Sequence, residues 1–165
     1  MKPLNETDIR DSFVNCSKGE ARRLSIPRPL ADVPWSDLDF LGWRDPGAPD
    51  RAYLVAERGE QLVGVSLRTS TGPRKSLIRS NICSVCLTAH AGSGVGLLVA
   101  RKAGPAGRDG NTVGAYICAD LACSLYMRGK KPTQLAQRLE ETLTLDEQIT
   151  RTLTNLDAFL DQILI

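Results

Sequence analysis

Cys83-Ser84-Val85-Cys86 sets two thiols two residues apart, and Cys118 and Cys123 supply a second pair about thirty residues later. Thiolates at the first spacing can grip one ion from a single turn. A second pair, at a strand end and in the first turn of a helix, completes a tetrahedron with Zn–S near 2.3 Å. Four thiolates leave no open coordination position, so the expectation is one structural zinc held by Cys83, Cys86, Cys118 and Cys123. Its binding free energy, on the order of 10 kcal/mol, then becomes folding free energy. The competing reading of the first pair is a redox CxxC, but such a pair sits where a strand enters a helix, and it leaves the second pair unexplained. His90, the only histidine, lies four residues after Cys86. It reads as a solvated residue or one beside the site, with displacement of a thiolate as the alternative. Cys16 lies far from both pairs and reads as a small buried residue rather than a reactive thiol or fifth ligand.

The elements that must position these residues can be read in outline. Ser17-Lys18-Gly19-Glu20 has the form of a capping box, and Asn5 or Thr7 can cap a turn carrying Ile9 and Phe13, so two short helices are expected before Pro27 and Pro29. Residues 31–50 are broken by Pro34, Gly42, Pro46, Gly47 and Pro49, yet Trp35, Leu38, Phe40, Leu41 and Trp43 are too apolar for solvent. This segment is expected to be an ordered loop pinned to the core. Strands are expected over 52–56 and 61–67 about a 57–60 hairpin break, and again over 94–101 and 112–118 about a loop at 102–111. A helix starting at Ala119 or Asp120 should stop near Arg128, before Gly129. The order of knuckle, hairpin and helix is the treble-clef arrangement. Pro132 suits the start of a helix with Leu135, Leu139 and Leu143 on one face. Thr144-Leu145-Asp146-Glu147 opens a last helix whose stripe is Leu145, Ile149, Leu153, Leu156, Leu160 and Ile163. A stripe of barely three heptads fits a helix packed on its own domain better than a coiled coil. The fold class expected is therefore α+β, with short N-terminal helices, β-hairpins, a four-cysteine treble-clef zinc finger and a C-terminal helical hairpin. The chain divides into a 1–50 N-terminal segment, a 51–131 module with the finger, and C-terminal helices over 132–165.

Charge is distributed unevenly along these segments. Residues 1–68 carry a net −1, residues 69–131 a net +7 and residues 132–165 a net −4, within an overall +2. A basic finger is attracted to RNA phosphates or to an acidic protein face. Only Tyr116 and Tyr126 supply aromatics there, which favours phosphate contact over base stacking. Catalysis has little to build on, with one histidine and no G-x-x-x-x-G-K-[ST] cradle. The glycines of Ala91-Gly92-Ser93-Gly94-Val95-Gly96 follow a knuckle and precede a strand, unlike a dinucleotide fingerprint. No apolar run approaches the roughly 18 residues that span a bilayer, and Met1 to Arg10 is too polar for a secretory signal, so a cytoplasmic, non-enzymatic protein is expected.

Cys83-Ser84-Val85-Cys86-Leu87, followed by Gly114-Ala115-Tyr116-Ile117-Cys118-Ala119-Asp120-Leu121-Ala122-Cys123-Ser124-Leu125-Tyr126, resembles the C-terminal treble-clef zinc finger of bacterial elongation-factor-G-binding, fusidic-acid-resistance-type proteins. The resemblance covers roughly residues 50–131, and at the N-terminal end the chain is similar to the short stand-alone members of the family. It implies a zinc module that grips elongation factor G and helps it leave the ribosome, with elongation factor G, the ribosome or rRNA as partner. A DNA- or RNA-binding regulator acting outside translation is the alternative. Arg128, Lys130 and Lys131, just beyond the helix anchored by Cys123, are expected to form a preorganised basic edge for that partner. Arg101 and Lys102 at the hairpin tip extend it, whereas helix-dipole compensation accounts for Arg128 more readily than for the two lysines.

Overall fold

The apolar run from Ala52 to Ala56 is buried without a break, which requires a strand covered on both faces. The computed structural model, which describes residues 1–70, 82–135 and 141–165, builds this strand into an antiparallel sheet in sequence order, β1-β2-β3-β4-β5. The strands are β1 (Phe40–Asp45), β2 (Ala48–Arg58), β3 (Gln61–Thr69), β4 (Val95–Arg101) and β5 (Thr112–Cys118). One face carries Phe40, Ala52, Leu54, Ala56, Val65, Leu67, Leu98, Ala100 and Ile117, packed on the four cysteines of the finger and on the long C-terminal helix α5 (Leu145–Leu164). The opposite face carries Leu41, Trp43, Tyr53 and Val55. It is covered by the N-terminal residues Ile9, Leu24, Ile26, Trp35 and Leu38.

Both expected capping boxes form. Ser17 caps α2 (Lys18–Arg23) with Glu20 reaching back, and Thr144 caps α5 with Glu147 doing the same. Asn5 is the residue that caps α1 (Glu6–Asp11), its side chain accepting from the Asp8 N–H. Between α2 and the sheet the chain makes two short 3-10 turns, Leu30–Asp32 and Trp35–Asp37.

Part of the expected 31–50 loop is strand. Phe40–Asp45 pairs with β2 from Phe40 opposite Ala56 to Arg44 opposite Ala52, and the irregularity falls at Arg44/Asp45, beside the Pro- and Gly-bearing turn. β2 begins at Ala48, so the sheet runs across the 50/51 segment border. β4 pairs with β3 only from Thr69 to Leu67. The remainder of that edge of β3 is taken up by residues after α1. The Gly64 N–H donates to Ser12 O at 2.9 Å, and the Val14 N–H donates to Gly64 O at 2.9 Å. The Asn15 side chain accepts from the Ser66 N–H at 2.7 Å and donates to Ser66 O at 2.9 Å, replacing a missing strand neighbour.

The loop joining β4 to β5 contains a short helix, α3 (Gly104–Arg108), and the helix after β5 is confined to α4 (Cys123–Met127). α4 starts later than expected because Leu121 takes a left-handed conformation, φ +59°, which breaks helical continuity from Ala119. Of the expected C-terminal pair, the second helix is α5. Residues 132–135 and 141–144 are not helical, and Leu139 lies outside the described residues. α5 buries Leu156, Leu160 and Ile163 of the predicted stripe together with Phe159 and Thr152, while Leu145 is exposed.

Candidate metal centre

The Cys83–Cys86 turn is built by its backbone. The Cys83 N–H donates to Thr88 O at 3.0 Å, and the Leu87 N–H donates to Cys83 O at 2.9 Å. Leu87 adopts φ +57°, a left-handed conformation more often filled by glycine. The Ser84 N–H donates to Tyr116 O at 2.7 Å, which ties the knuckle to β5 two residues before Cys118. Cys118 ends β5 and Cys123 opens α4, so hairpin and helix deliver the second pair.

The four Sγ atoms lie within 4.8 Å of one another and all four residues are buried. Cys83 and Cys123 Sγ are 3.8 Å apart, and Cys86 and Cys118 Sγ are 3.6 Å apart. A regular tetrahedron with Zn–S of about 2.3 Å has S···S edges of about 3.8 Å, so the arrangement fits one tetrahedral zinc. All four cysteines are free thiols rather than disulfides. Without a cation such a cluster cannot hold four negative charges. Hydrogen bonds from Cys118 and Cys123 hold the Cys83 thiol far below the usual thiol range. Cys123, tied first to Cys118 and fully enclosed, is pushed far above it. A divalent ion removes the conflict by letting all four exist as thiolates.

Neighbouring groups support the sulfurs. The Cys86 N–H donates to Cys83 Sγ at 3.4 Å, and Thr88 Oγ1 lies 3.2 Å from Cys86 Sγ. His90 stands beside the tetrahedron, with Nε2 3.2 Å from Cys118 Sγ and its ring edge-on to Tyr126 at 4.5 Å. Burial, only partly opposed by Asp120, lowers its pKa and favours the neutral ring, whose Nε2–H can donate to a thiolate. The ring crosses the backbone at Gly94, where a Cβ would lie 2.5 Å from His90 Cβ. A His90→Ala variant is expected to keep four ligands while losing roughly 10- to 100-fold in zinc affinity, measurable by chelator competition. Unchanged affinity would assign His90 to packing alone.

The predicted basic edge is a row of ion pairs. Arg128 lies against Asp39 through two hydrogen bonds, at 2.7 and 2.9 Å, with side chains only 13% and 7% exposed. Asp39 also donates its N–H to Ser124 Oγ at 2.9 Å, so the residue before β1 clamps α4. Lys130 Nζ is 2.7 Å from Asp37, and Lys131 Nζ is 2.6 Å from Asp120. Burial works to raise the Asp120 carboxyl, but hydrogen bonds from Lys131, the Ala122 N–H and Tyr126 outweigh it and hold it low. Arg101 ends β4 opposite Thr112 and Lys102 follows it in the loop, so the two stand at the hairpin tip as expected, at the other end of the strands from Cys118. Cys16 is half-buried and its thiol is pushed up to about 11 by burial and by Glu20, in keeping with an unreactive residue.

Among the described residues, no helix is long and apolar enough to cross a membrane. No curated protein and no solved structure matches the chain. A family model described as FBP C-terminal treble-clef zinc-finger matches residues 8–163, nearly the whole chain. With a four-thiol tetrahedron formed by a knuckle, a hairpin end and a helix start, the chain belongs to the FBP C-terminal treble-clef zinc-finger family.

Proposed function

We propose that the chain is a non-enzymatic zinc-finger module that docks on elongation factor G, on the ribosome, or on both, and modulates translation. The observation that carries this reading is the closed four-cysteine centre, which offers a metal no position for substrate and instead fixes β5, the knuckle and α4 as one rigid surface. The likeness of residues 83–87 and 114–126 to elongation-factor-G-binding proteins supplies the partner. Arg101, Lys102, Lys130 and Lys131 remain exposed enough to touch it, while Arg128 acts by holding α4 to Asp39. The test is capture of purified elongation factor G and co-sedimentation with ribosomes by the zinc-loaded chain, against a Cys83→Ser/Cys86→Ser control. If neither partner is enriched over that control, the reading fails. Binding to generic duplex DNA as tight as binding to ribosomes would favour a nucleic-acid regulator acting outside translation.

A further inference from the structure

A groove of about 440 Å³ opens between the far end of β4 and the turn that joins α1 to α2, at a distance in sequence from every metal ligand. Its floor is fixed by Asn15, whose side-chain amide donates to Ser66 O at 2.9 Å and to Arg101 O at 3.0 Å, bridging β3 and β4 where they part. Its other wall is α3, folded back so closely that a Cβ on Gly107 would lie 1.8 Å from Lys102 O. Only glycine permits that approach. The Ala103 N–H donates to Ile163 O at 2.7 Å and the Lys102 N–H to Asn111 O at 3.0 Å, so this wall is anchored to α5 and to its own loop.

Three cations line the groove: Arg101, Lys102 and Arg108. Among the described residues none of them pairs with an Asp or Glu, in contrast to Arg128, Lys130 and Lys131. Lys102 Nζ reaches only the Ile165 main-chain oxygen, at 3.5 Å. Glu20 is the one carboxylate in the lining among the described residues; it accepts from the Ser17 N–H at 2.8 Å, which with a smaller contribution from Arg101 holds its carboxyl low. A rigid groove that sets three cations against one carboxylate among its described residues suits a polyanion. Among the described residues no aromatic side chain lines it, so they offer neither the buried anchors from which protein interfaces draw most of their energy nor a platform for stacking bases. Guanidiniums match phosphate oxygens bidentately, and such contacts carry no sequence information.

We propose that this groove binds the phosphodiester backbone of single-stranded nucleic acid, without base preference, through Arg101, Lys102 and Arg108. The inference deepens the ribosome side of the proposed function and rests on it for the setting in which RNA is met. A bare oligonucleotide keeps the two separable, because failure of the unaltered chain to bind oligonucleotide while it captures elongation factor G would sink the groove alone.

The experiment is an anisotropy titration of the zinc-loaded chain with a labelled 12-residue oligouridine at about 50 to 200 mM salt, the range over which phosphate contacts are exposed. Each phosphate contact on a single strand contributes about −0.7 to the slope of log K against log salt. Arg101→Gln/Lys102→Gln/Arg108→Gln should therefore flatten the slope by about 2, removing roughly 20-fold of the affinity change across that range. The three side chains are on the surface, so the variant is expected to fold and to keep zinc. Arg28→Gln, whose cation already pairs with Glu6, should leave the slope unchanged. Oligodeoxythymidine binding equally well places recognition on the phosphodiester itself; weaker binding adds the ribose. A folded triple variant with an unaltered slope would overturn the proposal. Polyglutamate of equal charge competing as well as oligouridine would overturn it in favour of an acidic protein segment.

Discussion

Removal of zinc is expected to unfold the knuckle, the β4–β5 hairpin end and α4, leaving the β1–β3 part of the sheet partly protected from hydrogen exchange. Structural zinc binds with a free energy on the order of 10 kcal/mol, comparable with the whole stability of an ordinary domain at about 5–15 kcal/mol. Apart from the metal, the knuckle is held by backbone bonds within its turn, by bonds to Tyr116 O and from the Asn155 side chain to Val85 O, and by Val85 packed in the core between sheet and α5. The strands nearer the N-terminus keep a second cluster, around Trp43, Tyr53 and Ile9, that no metal touches. Metal analysis of freshly reduced protein should return one equivalent of zinc. Less than about half an equivalent, or exchange protection over 83–127 that survives a strong chelator, would contradict the assignment.

Asp39→Ala is expected to destabilise the zinc-loaded protein by about 3–5 kcal/mol, the usual cost of stranding one half of a buried ion pair. The Arg128 guanidinium would lose both of its hydrogen bonds to a carboxylate in a site where it is 13% exposed. At about 2–4 °C per kcal/mol for chains of this size, the melting temperature should fall by roughly 6–20 °C. Replacing both partners with leucine should recover much of the loss, because it removes the unpaired charge as well as the pair. A single variant within about 1 kcal/mol of the wild type, by denaturant titration, would show that the pair is a surface decoration. The same result bears on partner mapping: charge reversal at Arg128 would damage the fold before it reported on any contact.

The parts of this fold that were readable in advance are those written in neighbouring residues. Two capping boxes, the spacing of four cysteines and the alternation of β4 and β5 are local, and each appears where the sequence puts it. β1 was hidden because its pattern of Phe40, Leu41 and Trp43 lies among prolines and glycines that mark loops; only the long, doubly covered β2 beside it makes those residues a strand. The limits of α4 depended on the left-handed Leu121, whose side chain sits where β1 carries no Cβ, at Gly42. Least readable was the fate of the cations. Arg128 and Asp39 are 89 residues apart and Lys130 and Asp37 are 93 apart, so a segment charge of +7 could not reveal which of its members were already spoken for. His90 carried a hint in its closeness to Cys86, but its contact is with Cys118.

α5 also acts as a ruler. Asn155 Nδ2 donates to Val85 O in the knuckle at 3.0 Å, while Ile163 O receives the Ala103 N–H at 2.7 Å beside the groove. Eight residues of helix at 1.5 Å each set these two anchor points about 12 Å apart along an axis that cannot stretch. Arg58 pins the same stretch from outside, at 3.0 Å to Asp157 and 2.7 Å to Asp161. The knuckle and the basic groove are thereby held at fixed spacing, and any molecule that spans both meets a template already set to length, with the entropic cost of alignment met during folding rather than at the moment of contact.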